Sequence, residues 1–121
     1  MHVLAENNNY LIYKNYEDVT LRDKNTNRET LIGDFYGEAD MAVISEDETF
    51  CAMCGCGVII YFMKEPFQQY EYYVATDQWK DWGRNSAEAD VWLDHIRCIN
   101  NDTIEVTEEN GSVHIIDVYR L

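Results

Sequence analysis

"ETFCAMCGCGVIIYF", residues 48–62, places three of the four cysteines of the chain within six residues. Cys51-x-x-Cys54-Gly55 has the form of a zinc knuckle, in which a glycine lets the backbone fold around the metal. A tetrahedral site needs a second ligand pair, and the pair on offer is His95 and Cys98 in "HIRC", with Cys56 to spare. Three thiolates and an imidazole would satisfy Zn²⁺. His95 and Cys98, however, lie in an apolar-patterned segment with no turn glycine, so they present no second knuckle. The stretch itself reads as "TFCAM", a strand, then "CGCG", a turn, then "VIIYFM", a second strand. Cysteine is a commonly buried residue, and small residues suit a close-packed hairpin tip. A β-hairpin with no metal or other cofactor is therefore expected. A zinc-binding module using Cys51, Cys54, His95 and Cys98 is the alternative.

Outward from this hairpin, strand signals continue in both directions. "NYLIYK" (residues 9–14) and "YEDVTLRD" (16–23) are short β-prone runs joined at Asn15, and "DKNTN" (23–27) is rich in residues whose side chains bond their own backbone, closing onto "RETLI" (28–32). "GDFYGEAD" (33–40) is a loop bracketed by glycines. "MAVIS" (41–45) reads as a buried strand and "EDE" (46–48) as an acidic turn. The segment from Pro66 to Asp90 is ambiguous between periods and is assigned to strand and loop, with one helical turn capped by Ser86. Its aromatics, Phe67, Tyr70, Tyr72, Tyr73, Trp79 and Trp82, are expected to divide between core and surface. "VWLDHIRCI", "TIEVT" and "SVHIIDVYRL", separated by "NND" and "EENG", predict a closing three-stranded meander. The expected fold is a single mainly β domain over residues 1–121. Seven to nine short antiparallel strands should curl into a sandwich or half-barrel, with at most one short helix near Ser86.

A chain of 121 residues with 46% hydrophobic content can bury one core, and no proline- or glycine-rich linker divides it. No apolar run approaches the ~20 residues that cross a bilayer, and "MHVLAENNNYLIYK" lacks the pattern of an export signal. A cytoplasmic protein with reduced thiols is expected, without a membrane partner. The formal net charge of −14, from 23 acidic and 9 basic residues, disfavours nucleic acid, whose phosphates demand a cationic surface. The imbalance is concentrated between Arg28 and Lys64, where no Lys or Arg occurs and Glu29, Asp34, Glu38, Asp40, Glu46, Asp47 and Glu48 supply seven carboxylates. Such a patch attracts a cationic partner and speeds its encounter.

Catalytic signatures are missing from the pattern. The three histidines, His2, His95 and His114, are scattered, and no local motif marks a cysteine as a nucleophile beside His95 or His114 with Asp94 or Asp117 as orienting group. "GDFYG" and "CGCG" lack the longer glycine pattern that cradles phosphate. A non-enzymatic protein is expected, a small cytoplasmic enzyme being a further alternative.

"IGDFYGEADMAVISEDETFCAMCGCGVIIYFMKEPFQQYEY" (32–72) resembles the small immunity proteins encoded beside bacterial polymorphic or contact-dependent toxins. Their pattern is a G-D-x-Y-G segment, an apolar strand, a Cys- or Trp-containing strand, a glycine-rich turn, a "VIIYF"-like strand and an "EPF". The likeness extends through an aromatic segment and closing strands to residue 121. Cys54 and Cys56 stand where that family often has glycine or another small residue. The resemblance implies a protein that binds and neutralises a cognate toxin domain. Together with the charge, it leads to the expectation of a basic toxin, such as a nuclease, occluded by carboxylates. Asp34, Glu38 and Asp40 are the first candidates, then Glu46, Asp47 and Glu48, with Tyr36 as an aromatic anchor.

Overall fold

The computed structural model describes residues 1–84 and 91–121, so the helical turn expected at Ser86 lies outside the described residues. The described chain is all β, with eleven short strands in three antiparallel sheets. The first sheet is the meander of β1 (His2–Glu6), β2 (Tyr10–Asn15), β3 (Asp18–Asp23) and β4 (Glu29–Asp34). The second, in the order β5-β6-β7-β8, holds β5 (Met41–Ile44), β6 (Phe50–Gly55), β7 (Gly57–Phe62) and β8 (Trp79–Trp82). The third is β9 (Leu93–Cys98), β10 (Thr103–Glu108) and β11 (Val113–Asp117), with β10 in the middle. The count exceeds the expected seven to nine through β1, a largely exposed edge strand with little apolar pattern, and β8, which emerges from the ambiguous aromatic segment.

The central hairpin explains the architecture. Successive side chains of a strand point to opposite faces. Cys51, Met53, Ile59 and Tyr61 therefore face one way, into a core completed by Ile12, Val19, Leu21 and Ile32 of the first sheet. Phe50, Ala52, Cys54, Val58 and Ile60 face the other way, onto Leu93, Ile96, Ile104, Val106 and Ile116 of the third. The second sheet is thus sandwiched between the other two. Its inner strands contain no polar residue because both of their faces are buried, which is why residues 50–62 read as one apolar run. Each large side chain buried there contributes about 1.5–3 kcal/mol of hydrophobic stabilisation.

The aromatic segment divides between inside and outside. Phe67, Tyr70 and Trp79 gather around Tyr61, with Trp79 stacked on Tyr61 at 6.2 Å and tilted against Tyr70 at 5.0 Å, while Tyr72 and Tyr73 are exposed. The buried Gln78 holds the loop that carries them, donating from Nε2 to the carbonyls of Phe62 (2.7 Å) and Lys64 (2.9 Å) and accepting from the Gln68 amide (3.1 Å).

Candidate protein-binding surface

The chain reverses from β6 to β7 at Cys56, between the paired Gly55 and Gly57. This defines one end of the sandwich, at which the loop of residues 35–40, the β2–β3 turn and the start of β9 also arrive. The loop packs tightly on the hairpin: the Asp40 amide donates to the Cys54 carbonyl (2.8 Å), and a Cβ on Gly55 would stand 2.8 Å from the Glu38 carbonyl oxygen. Arg84 locks the loop from the other side. Its guanidinium lies over the Phe35 ring at 4.6 Å and donates from Nη2 to the Asp34 carbonyl (2.7 Å). The Gly37 amide donates to Glu17 Oε2 (2.9 Å), tying the loop to the β2–β3 turn. Lys14 bridges the Ala39 carbonyl (2.7 Å) and Glu38 (3.5 Å). Trp92 crosses next to Cys56, with the edge of its six-membered ring beside Gly37 and Tyr36 paired with it in a T-shaped contact at 6.2 Å and 64°.

The surface so assembled is aromatic and acidic. Tyr16, Tyr36 and Trp92 are 86%, 74% and 43% exposed. Around them stand Glu17, Asp18, Asp34, Glu38 and Asp40, together with Asp94 on β9; Asp40 and Asp94 both lie close enough to the Cys54 thiol to raise its pKa. The cationic side chains of Lys14 and Arg84 at this end are engaged in the contacts just described, and Met1 and His2 stand beside Tyr16 and Glu38. Asp34 is half-buried opposite Asp18 in the β3–β4 ladder, and burial first, then Asp18 and Glu17, hold its pKa above the usual carboxylate value against the pull of Arg84. Two of the five non-glycine residues with left-handed backbone among the described residues, Tyr16 (φ 55°) and Glu38 (φ 76°), lie here, beside Gly37 (φ 76°). The strain this places on non-glycine residues concentrates at binding and active sites.

The expected acidic residues do not form one patch. Asp34, Tyr36, Glu38 and Asp40 share the end with Cys56, whereas Glu46, Asp47 and Glu48 lie beyond the far end of β5, roughly 13 Å of strand away. Two of the latter are committed to the fold. Asp47 Oδ1 accepts from the Ser45 hydroxyl (3.0 Å), the Thr49 hydroxyl (2.7 Å) and the Thr49 amide (3.1 Å), and the Thr49 hydroxyl leads these bonds in lowering its pKa. Glu48 accepts the side-chain amides of Asn7 (2.9 Å) and Asn9 (3.1 Å), clamping the β1–β2 turn. Trp92, Tyr16, Glu17 and Asp94 were not among the expected site residues. Two signals pointed to some of them: Trp92 alternates with the buried Leu93, and Tyr16 occupies a two-residue hairpin turn, where turn chemistry favours Asn, Asp or Gly.

The zinc alternative meets a geometric obstacle. Cys51 and Cys54, three apart on a strand, point to opposite faces of the central sheet. Cys98 packs at the margin of the second core, and His95 lies exposed in the outer row of the third sheet, opposite Thr107. The structure does not bring these four residues together, and among the described residues no group of three or more His, Cys, Asp or Glu side chains is placed to hold a metal ion. Burial pushes the Cys51 thiol upward and the Cys54 thiol up to about 12, away from the thiolate that a nucleophilic reaction needs. His114 has Glu108 as partner, Nε2 to Oε2 at 2.6 Å, and packs on Trp82. Among the described residues no helix is long and apolar enough to cross a membrane. Comparison with known protein families and with curated proteins finds no match to this chain.

Proposed function

We propose that this protein is an immunity-type inhibitor that binds a basic toxin domain, such as a nuclease, through the end of the sandwich carrying Tyr16, Tyr36, Trp92 and the surrounding carboxylates. The observation that carries this reading is the combination there of exposed aromatic rings and carboxylates, with Lys14 and Arg84 engaged internally. Aromatic anchors bury large areas at low entropy cost, and complementary charge steers the encounter and excludes wrong partners. A cationic cleft that binds nucleic acid is the complement of such a surface. The resemblance of residues 32–121 to toxin immunity proteins supports the same reading. The mechanism is occlusion: the inhibitor covers the cleft and no covalent chemistry is required.

The test is co-expression with the toxin domain encoded in the neighbouring reading frame, followed by co-purification and calorimetric titration in rising salt. A complex that forms and weakens steeply with salt is expected. Growth inhibition by that domain unrelieved by this chain, with no complex at low salt, would reject the proposal.

A further inference from the structure

The partner's chemistry can be narrowed further, on the assumption that the binding surface is the one proposed above. We infer that the Tyr36–Trp92 pair is a seat for an arginine side chain of the partner. The Cζ3–Cη2 edge of the Trp92 ring lies against Gly37, Tyr36 forms a T-shaped pair with it at 6.2 Å and 64°, and the residue is still 43% exposed, so the ring is held without being covered. Gly37 suits this arrangement through its backbone: its φ is 76°, a conformation that strains other residues. A fixed, solvent-facing indole is the strongest aromatic seat for a cation. The carboxylates of Glu17, Glu38, Asp40 and Asp94, contributed by three different segments, occupy the same end of the molecule and set the sign of the occupant.

Arginine fits better than lysine. A guanidinium is weakly hydrated, lies flat on an aromatic ring and directs a rigid fork of N–H donors outward, where a carboxylate can accept two; an ammonium is strongly hydrated and gains less from a ring. The chain places two of its own arginines against aromatic rings. Arg84 lies over Phe35, the residue before Tyr36, and Arg22 lies 5.5 Å from the Tyr13 ring centroid beside Glu29.

Two measurements test the inference. In the first, the ¹H–¹⁵N spectrum of the protein is titrated with blocked tri-arginine and, separately, blocked tri-lysine, with the Trp92 indole signal assigned through Trp92→Phe. The arginine peptide should move the Trp92 indole and Gly37 amide signals, with the lysine peptide about three- to fivefold weaker. Equal response to both peptides, or shifts confined to Glu46 and its neighbours, would overturn the inference. In the second, Trp92→Leu and Trp92→Phe, each checked for an unchanged melting temperature, are titrated with the neighbouring toxin domain. Loss of affinity in Trp92→Leu with partial recovery in Trp92→Phe is expected. Wild-type affinity in Trp92→Leu sinks the arginine seat and leaves the immunity reading standing. Arginine-selective shifts at Trp92 without any toxin complex do the reverse.

Discussion

Glu48 shows how a single residue changes meaning once folded. In the sequence it closes a run of three surface acids; in the structure both of its oxygens accept amide protons from Asn7 and Asn9, fastening the first sheet to the β5–β6 turn. Hydrogen bonds to a charged group contribute about 1.5–3 kcal/mol, so Glu48→Ala should lower the denaturation free energy by that order, while Glu46→Ala stays within about 0.5 kcal/mol of wild type. Urea midpoints of the two variants make the comparison. Asp47 and Asp34 should respond to pH with opposite signs. The bonds to Asp47 depress its folded pKa, so its contribution is present above the unfolded value of about 3.9 and is lost as pH falls through the folded value. Asp34 has a raised folded pKa, so the folded state holds its proton more tightly, and stability declines as pH rises from about 3.9 through that value. Asp34→Asn, which removes a carboxylate directly opposite Asp18, should therefore raise stability at pH 7 by about 0.2–1 kcal/mol, the gain disappearing in acid. Melting temperatures between pH 3 and 7 would show the crossing.

At the scale of the elements, the β6–β7 hairpin carries the fold and Gly57 carries the hairpin. Gly57 has φ 79°, and a Cβ there would stand 2.0 Å from Arg84 Cγ and 2.8 Å from the Trp82 carbonyl oxygen. Gly57→Ala should cost at least about 1–3 kcal/mol and displace Arg84 from Phe35, loosening the loop that presents Tyr36. Thermal melts and the toxin titration, run on the same variant, would register both effects. The hairpin was legible because the runs on either side of "CGCG" are apolar and strand-like. Their burial on both faces was legible in principle, since neither strand has a polar position, but runs this short do not reveal what covers the second face. The knuckle-like spacing misleads for a related reason: Cys51 and Cys54 would converge on a metal from a turn, whereas an extended strand sends them to opposite sides. Accordingly, prolonged treatment with a chelator should leave the melting temperature unchanged, and elemental analysis should find no stoichiometric zinc. A fall in the melting temperature on chelation would show that the cysteines have another arrangement.

At the scale of the molecule, proximity along the chain is a poor guide to proximity on the surface. The basic-free stretch suggested one acidic face, yet β5 sends Asp40 and Glu46 to opposite ends of the sandwich, and the fold brings Glu17, Trp92 and Asp94 to the first of these ends from distant segments. Local alternation could reveal the strands; only the stacking of three sheets decides which turns share an end, and that depends on long-range packing which no short window of sequence contains. This arrangement makes the charge effects separable. Neutralising Asp40 and Asp94 should slow association with a basic toxin domain by roughly two- to fivefold at low salt and flatten its salt dependence, while the dissociation rate changes little. Neutralising Glu46, at the other end, should leave the association rate near that of wild type, because screening at ordinary ionic strength confines each charge's influence to about 8–10 Å. Stopped-flow association at several salt concentrations distinguishes these cases. If Glu46→Gln slowed binding as much as the Asp40→Asn and Asp94→Asn pair, attraction would come from the overall charge of −14, and the aromatic end would have no special claim to the partner.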